Sequence, residues 1–434
     1  MKAAIELPNQ YSSLIHASRS VTRACDLDHK TIKPEAHFRM HFLNKRWTCK
    51  QLLVIPVLLS TLLVLRFLVY SSPDALTAPA RSFQIPNSYQ KHRNEMKQMP
   101  RRNGAENIRP EILTHYPGPF ITQMKNPCWL SPKDDLYCLP YFYLAGMPKC
   151  GTTDIWEKLT KHPQVWGSSK ESHWWAKVRV GRHYGNTSLT TNATSYYQRW
   201  GKMIRKVAKQ KGKEYLPHVI VGDGSASTFW DNRFWSYDFP NLTVGPPFTT
   251  PSLIHGIQPK AKVIVAFRNP VERLYSDYTY FAKHHDPSPQ HFHNATKVGI
   301  EAFHECLAAV NDLRTCAYQP DVGAAGLKPV RLLVGLYTVF LEDWLKQFPR
   351  SQIFIIKTEE WSENCPTILS QLHKFLDLDE MSSEAREQIC GERYNVGKTK
   401  TVPMLPETEQ LLRNFYAPYN DRLARLLSDE NFLW

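Results

Sequence analysis

Acidic side chains are scarce relative to basic ones: 40 Asp and Glu stand against 54 Lys and Arg in 434 residues, a formal net charge of +14. That imbalance says nothing about fold, but it argues against cationic partners and favours nucleic acid, acidic lipid headgroups or acidic polysaccharide. No internal repeat occurs, so nothing points to a solenoid or a propeller. Long apolar runs are scarce too. The longest is QLLVIPVLLSTLLVLRFLVY, residues 51–70. At about 1.5 Å per residue such a run matches a hydrocarbon layer of roughly 30 Å. Aromatic residues, by contrast, are plentiful (12 Trp, 20 Tyr, 20 Phe), ample for one large domain or two modest ones.

The apolar run reads as a membrane anchor. Arg66 lies near one end, where it can snorkel, and Pro56 is tolerable in a membrane helix. A buried core helix and a cleaved signal sequence are the alternatives, but a signal sequence rarely starts fifty residues into a chain. Arg39, Lys45, Arg46 and Lys50 precede the run, whereas no base follows it until Arg81. The positive-inside rule therefore predicts a type II protein with residues 1–50 as a cytosolic tail. Asn-X-Ser/Thr sites are missing before the anchor; four occur after it, at Asn186, Asn192, Asn241 and Asn294. Seven of nine cysteines also lie beyond it, where disulfides form. Spacing suggests Cys128–Cys138, Cys306–Cys316 and Cys365–Cys390, one of fifteen connectivities for six cysteines. Cys150 is left over.

Residues 71–125 lack a sustained apolar pattern and read as a solvated lumenal stem. From 126 to 434 short apolar runs alternate with helical patterns. Strands are expected at 140–146, 218–223, 261–267 and 352–357. Helices are expected at 154–162, with Ile155, Trp156 and Leu159 on one face, at 270–283, capped by Asn269, and at 329–348. That alternation predicts an α/β domain with a mostly parallel sheet flanked by helices, binding ligands beyond the carboxyl ends of its strands.

One such strand runs into YFYLAGMPKCGTTDIWEKL, residues 141–159. Gly146 and Gly151 are four residues apart, as in a P-loop, but the lysine lies inside the turn at 149 rather than after the second glycine. Free backbone N–H groups and the helix dipole attract an anion there. A lysine so placed suits a single 5′-phosphate group better than a triphosphate with magnesium. An ordinary strand-to-helix turn is the bland alternative. Arg268 ends another strand just before a helix, where a guanidinium with the Ser276 hydroxyl suits a second phosphate. The alternative there is a surface arginine paired with Asp277 or Glu272.

PKCGTT resembles the 5′-phosphosulfate loop of sulfotransferases that use 3′-phosphoadenosine 5′-phosphosulfate. VIVAFRNPVERLYSDY (263–278) is similar to their 3′-phosphate element, and residues 335–361 and 397–427 resemble further segments in order. The resemblance, which spans about 126–434, is to Golgi carbohydrate sulfotransferases. It implies that Lys149, Cys150, Gly151, Thr152, Thr153, Arg268, Ser276 and Lys400 contact the donor, and that no metal is required. The stretch KESHWW resembles the family segment that carries a catalytic glutamate. It implies Glu171 as general base, with Lys149 at the leaving phosphate and His173 as an orienting group or rival base. A solvated Glu171 on a loop whose tryptophans are core is the alternative.

Asp223 is a further candidate acid, or only a turn cap; Lys398 lies beside Lys400 in a loop that departs from the family's longer form. The histidines of KHHDPSPQHFHNA (283–295) fit no tight zinc pattern. Ordered segments most resemble the chondroitin/dermatan branch, implying an acidic polysaccharide acceptor, carbon 6 of 4-sulfated N-acetylgalactosamine, and no nucleic-acid partner. Lys170, Arg179 and Arg182 are candidates to read its anionic groups. Rival readings are a heparan sulfate sulfotransferase, a kinase-like phosphotransferase and a non-catalytic glycosaminoglycan-binding membrane protein. Oligomeric state is not legible.

Overall fold

The computed structural model describes residues 117–167, 170–181, 189–232, 235, 245–281, 288–319, 330–392, 394 and 402–434. The expected tail, the anchor at 51–70, most of the stem, Arg182, the glycosylation sites at Asn186 and Asn241, His284 and His285, and Lys398 and Lys400 lie outside the described residues. No helix among the described residues is long and apolar enough to cross a membrane.

The fold opens with an antiparallel hairpin, β1 (Cys128–Leu130) and β2 (Leu136–Cys138), clasped by the Cys128–Cys138 disulfide. β3 (Phe142–Gly146), α1 (Thr152–Leu159), β4 (Val165–Trp166), α2 (Ala193–Lys211), β5 (Ile220–Asp223), α3 (Thr250–Ile257) and β6 (Lys262–Phe267) follow. Next come α4 (Pro270–Phe281), α5 (Pro289–Val310), α6 (Leu313–Ala317), α7 (Tyr337–Leu345), β7 (Ile353–Lys357), α8 (Thr358–Phe375), α9 (Ser383–Gly391) and α10 (Pro406–Leu427).

The main sheet has the order β4-β5-β3-β6-β7, with every pairing parallel. β3 lies at its centre and is buried along its whole length, as its unbroken apolar sequence requires. From β3 the chain turns one way to β4 and β5, then crosses to β6 and β7 on the other side. The crevice of the sheet therefore opens at the carboxyl end of β3. Ile155, Trp156 and Leu159 bury one face of α1, and Asn269 Oδ1 caps α4 by accepting from the Val271 N–H at 3.0 Å. The pairs Cys306–Cys316 and Cys365–Cys390 also form, leaving Cys150 as a buried free thiol.

The helix expected over 329–348 is shorter: Leu332–Gly335 wind as a tighter 3-10 turn and the α-helix spans Tyr337–Leu345. Gly335 lies against the Tyr416 ring, where a Cβ would come within 2.7 Å, so tertiary packing decides this boundary. β4 has two residues, too few for any periodic pattern.

His162 and His373 meet edge to face, ring centroids 4.5 Å apart. Both His373 nitrogens are buried without a hydrogen-bond partner. Burial, aided by His162 and Arg386, lowers the His373 pKa to about 3. The unfolded chain therefore binds a proton that the folded chain refuses. Stability is complete above the unfolded histidine pKa of about 6.5 and falls as pH drops below it. Going from pH 7 to 5 should cost about 2 kcal/mol. His373→Phe should flatten the fall in melting temperature of the full chain over this range; an unchanged slope would show that His373 is not its source.

Candidate active site

The crevice is built first by the turn after β3. Lys149 and Gly151 both adopt left-handed backbone, φ 66° and 73°, on either side of Cys150. No side chain caps the N-terminus of α1, so its first N–H groups remain for an anion. The Thr358 hydroxyl donates to the carbonyls of Cys150 (3.0 Å) and Phe267 (2.9 Å), joining this turn to the end of β6. The Cys150 side chain turns inward, its Sγ 3.8 Å from the Tyr337 hydroxyl, and burial pushes its thiol pKa up to about 12. The Lys149 ammonium lies 3.8 Å from the centroid of the Tyr280 ring at the end of α4.

The second wall comes from the segment after β4. The Lys170 ammonium donates to Thr152 Oγ1 (3.1 Å), Thr153 Oγ1 (3.4 Å) and Glu171 Oε1 (3.0 Å). The other Glu171 oxygen, Oε2, accepts from the Ala226 N–H at 3.1 Å and lies 3.2 Å from His173 Nε2. His173 Nδ1 is 2.6 Å from the Ser227 hydroxyl. With a carboxylate at Nε2 and a hydroxyl at Nδ1, the consistent neutral tautomer carries its proton on Nε2. Burial lowers the His173 pKa, partly opposed by Glu171. Both Glu171 (φ 63°) and His173 (φ 48°) are left-handed, at about 1–2 kcal/mol each. Bonds from Glu171 N to the Gly224 carbonyl and from His173 N to Ser225 Oγ hold them there.

Asp223, at the end of β5, is a buried hub: it accepts from Ser172 and Ser225 hydroxyls and from Tyr196. Its contacts brace the wall rather than face the crevice. Trp174 stacks on Tyr196 at 4.6 Å and both tryptophans are core. Arg179 is buried, its Nε donating to the Trp175 carbonyl, which removes it from the acceptor-reading set. Ser225, Ala226 and Ser227 were not anticipated. Their signal is the small polar run GSAS directly after a buried strand.

Arg268 stands at the end of β6 and pairs with Glu272 at 2.7 Å, the surface pairing weighed above. Asp277 is instead buried and bound by Arg331 and Arg273. Ser276 is half-buried on α4. His291 bonds Tyr278 and His293 bonds Thr408.

A turn lysine, an uncapped helix N-terminus and a braced carboxylate at the switch point of a parallel sheet suit group transfer from an anionic donor. Residues 247–413 match the sulfotransferase domain family, a span that includes Arg268 and Ser276. Human carbohydrate sulfotransferase 15 is 38% identical over 320 residues, 69% of this chain and 55% of that protein. Carbohydrate sulfotransferase 15 of Nototodarus sloanii is 30% identical over 144 residues, 32% of this chain and 87% of that relative. Mouse bifunctional heparan sulfate N-deacetylase/N-sulfotransferase 4 is 23% identical over 355 residues, 74% of this chain and 35% of that protein. The chain belongs to the carbohydrate sulfotransferase family. It spans little more than half the length of the human relative.

The His173 network has a direct spectroscopic consequence. An NMR titration of labelled histidine should find His173 neutral at pH 7, protonated on Nε2, and titrating below the ordinary value. Glu171→Gln removes the charge that favours the imidazolium, so it should lower that pKa further. A rise on the same substitution would break the assigned contact.

Proposed function

We propose that this chain transfers a sulfuryl group from 3′-phosphoadenosine 5′-phosphosulfate to a glycosaminoglycan hydroxyl, carbon 6 of N-acetylgalactosamine 4-sulfate in chondroitin or dermatan sulfate. The observation that carries it is the Lys170 ammonium, which joins the anion-binding turn to the Glu171 carboxylate. Family membership supplies the donor class, and the ordered resemblance to the chondroitin/dermatan branch supplies the acceptor. Residues 1–50 are the cytosolic tail, 51–70 the anchor, 71–125 the stem and 126–434 the catalytic domain of a Golgi type II protein. Three disulfides agree with an oxidising lumen, and the exposed Asn192 and Asn294 with lumenal glycosylation.

The residues fit the donor. The α1 N–H groups, with the Thr152 and Thr153 hydroxyls and Lys149, form a cradle for the 5′-phosphate. Arg268 and Ser276 serve the 3′-phosphate, for which Arg268 must exchange Glu272. Lys400, outside the described residues, is assigned to the donor by the family resemblance, with Lys398 as a second cation for the nucleotide or the acidic acceptor. Glu171 takes the proton of the attacking hydroxyl as its oxygen bonds to sulfur. The bond from sulfur to the 5′-phosphate oxygen breaks, and its electron pair stays on that oxygen, opposite Lys149. Preorganised cations at that position stabilise the charge as it grows. His173, neutral and fixed by Ser227, holds the carboxylate in line.

Two substitutions separate the roles. In the full chain, Glu171→Gln should lower turnover about 10²–10⁴-fold while affinity for the adenosine bisphosphate product stays. Weakened affinity at full turnover would assign Glu171 elsewhere. Lys149→Ala should cut turnover at least about 10²-fold; near-normal transfer would remove it from the leaving group. Labelled sulfate offered with chondroitin and heparan acceptors, followed by disaccharide mapping, tests the acceptor: incorporation into heparan alone overturns it.

A further inference from the structure

The helix α2, which braces the wall that holds Glu171, has a second face that the reaction does not use. On α2, Ala193, Tyr196, Tyr197, Trp200, Ile204 and Val207 are buried. At 100° per residue they fill one side, and Lys202, Lys206 and Lys209 form a stripe on the opposite side. All three are exposed, as is Arg205 beside them. No acid occurs between Ala193 and Lys211. Asp135 approaches Arg205 only to 3.9 Å, and the three lysines carry no ion pair among the described residues. The rotation of the helix is fixed: Gly201 packs on the Leu136 carbonyl, where a Cβ would lie 1.9 Å away.

The stripe also has a direction. Tyr196, near the start of α2, bonds Asp223 at the carboxyl end of β5, and its ring stacks on Trp174 of the wall that holds Glu171. From Tyr196 the helix leads away, reaching Lys202 after about 9 Å and Lys209 after about 20 Å. We propose that this basic stripe is an exosite that binds the anionic polysaccharide beyond the reacting sugar, so that long acceptors are held by charge outside the crevice. The proposal rests on the acceptor class given above. A bilayer surface fits less well, because the apolar face that would enter lipid is already in the core.

The test uses the full chain and the triple variant Lys202→Gln, Lys206→Gln, Lys209→Gln. Glutamine keeps helix propensity and removes only charge. Binding of polymeric chondroitin 4-sulfate, measured without donor, should weaken about tenfold, and its dependence on salt should become shallower. A 4-sulfated tetrasaccharide has too few anionic groups beyond the reacting sugar to use the stripe, so its turnover should stay. Unchanged polymer affinity overturns the proposal, as does equal loss with the tetrasaccharide. Loss of binding to phosphatidylserine vesicles with polymer affinity intact assigns the stripe to membrane instead. Because binding is read without turnover, a chain that transfers no sulfate would refute the proposed reaction and leave this measurement decisive.

Discussion

The ammonium of Lys170 touches both halves of the crevice: the threonine hydroxyls that open α1 and the carboxylate of Glu171. Those groups come from segments after two non-adjacent strands, β3 and β4, and β5 lies between them in the sheet. Both hydroxyls and the carboxylate accept from this one ammonium, so the turn and the glutamate share a single cation. With it, the turn, the glutamate and the loop after β5 form one network that reaches Ala226, His173 and Ser227. The left-handed backbone at Glu171 and His173 belongs to the same network, held by bonds from Glu171 N to the Gly224 carbonyl and from His173 N to Ser225 Oγ.

Much of this was legible in the sequence where the relevant residues are contiguous. β3, β5, β6 and β7 are short apolar runs bounded by turn residues, and they fall within two residues of their expected limits. The turn at Lys149 and the segment around Glu171, which the structure brings to one crevice, are each contiguous runs of six residues or fewer. The disulfides were legible because each joins cysteines 10 or 25 residues apart.

What stayed hidden depends on contacts between distant segments. Ser225 and Ser227 lie more than fifty residues beyond their partners Ser172 and His173, and only the adjacency of β4 and β5 brings them together. Arg268 had two possible acidic partners by spacing. The choice of Glu272 follows once Asp277 is turned into the interior to meet Arg331 and Arg273. Lys170 was read as a contact for substrate anions, because nothing in its neighbourhood predicts how far its ammonium extends toward Thr152.

The pairing of Arg268 with Glu272 has an implication for selectivity. An anion arriving at this guanidinium meets a carboxylate that already satisfies it, so a weakly held ion gains little by entering. A dianionic group anchored elsewhere by the rest of its molecule is favoured, since it arrives at high local concentration and offers more charge than the one it evicts. Under the role proposed for Arg268, Glu272 is an internal competitor that stray sulfate or chloride would have to displace.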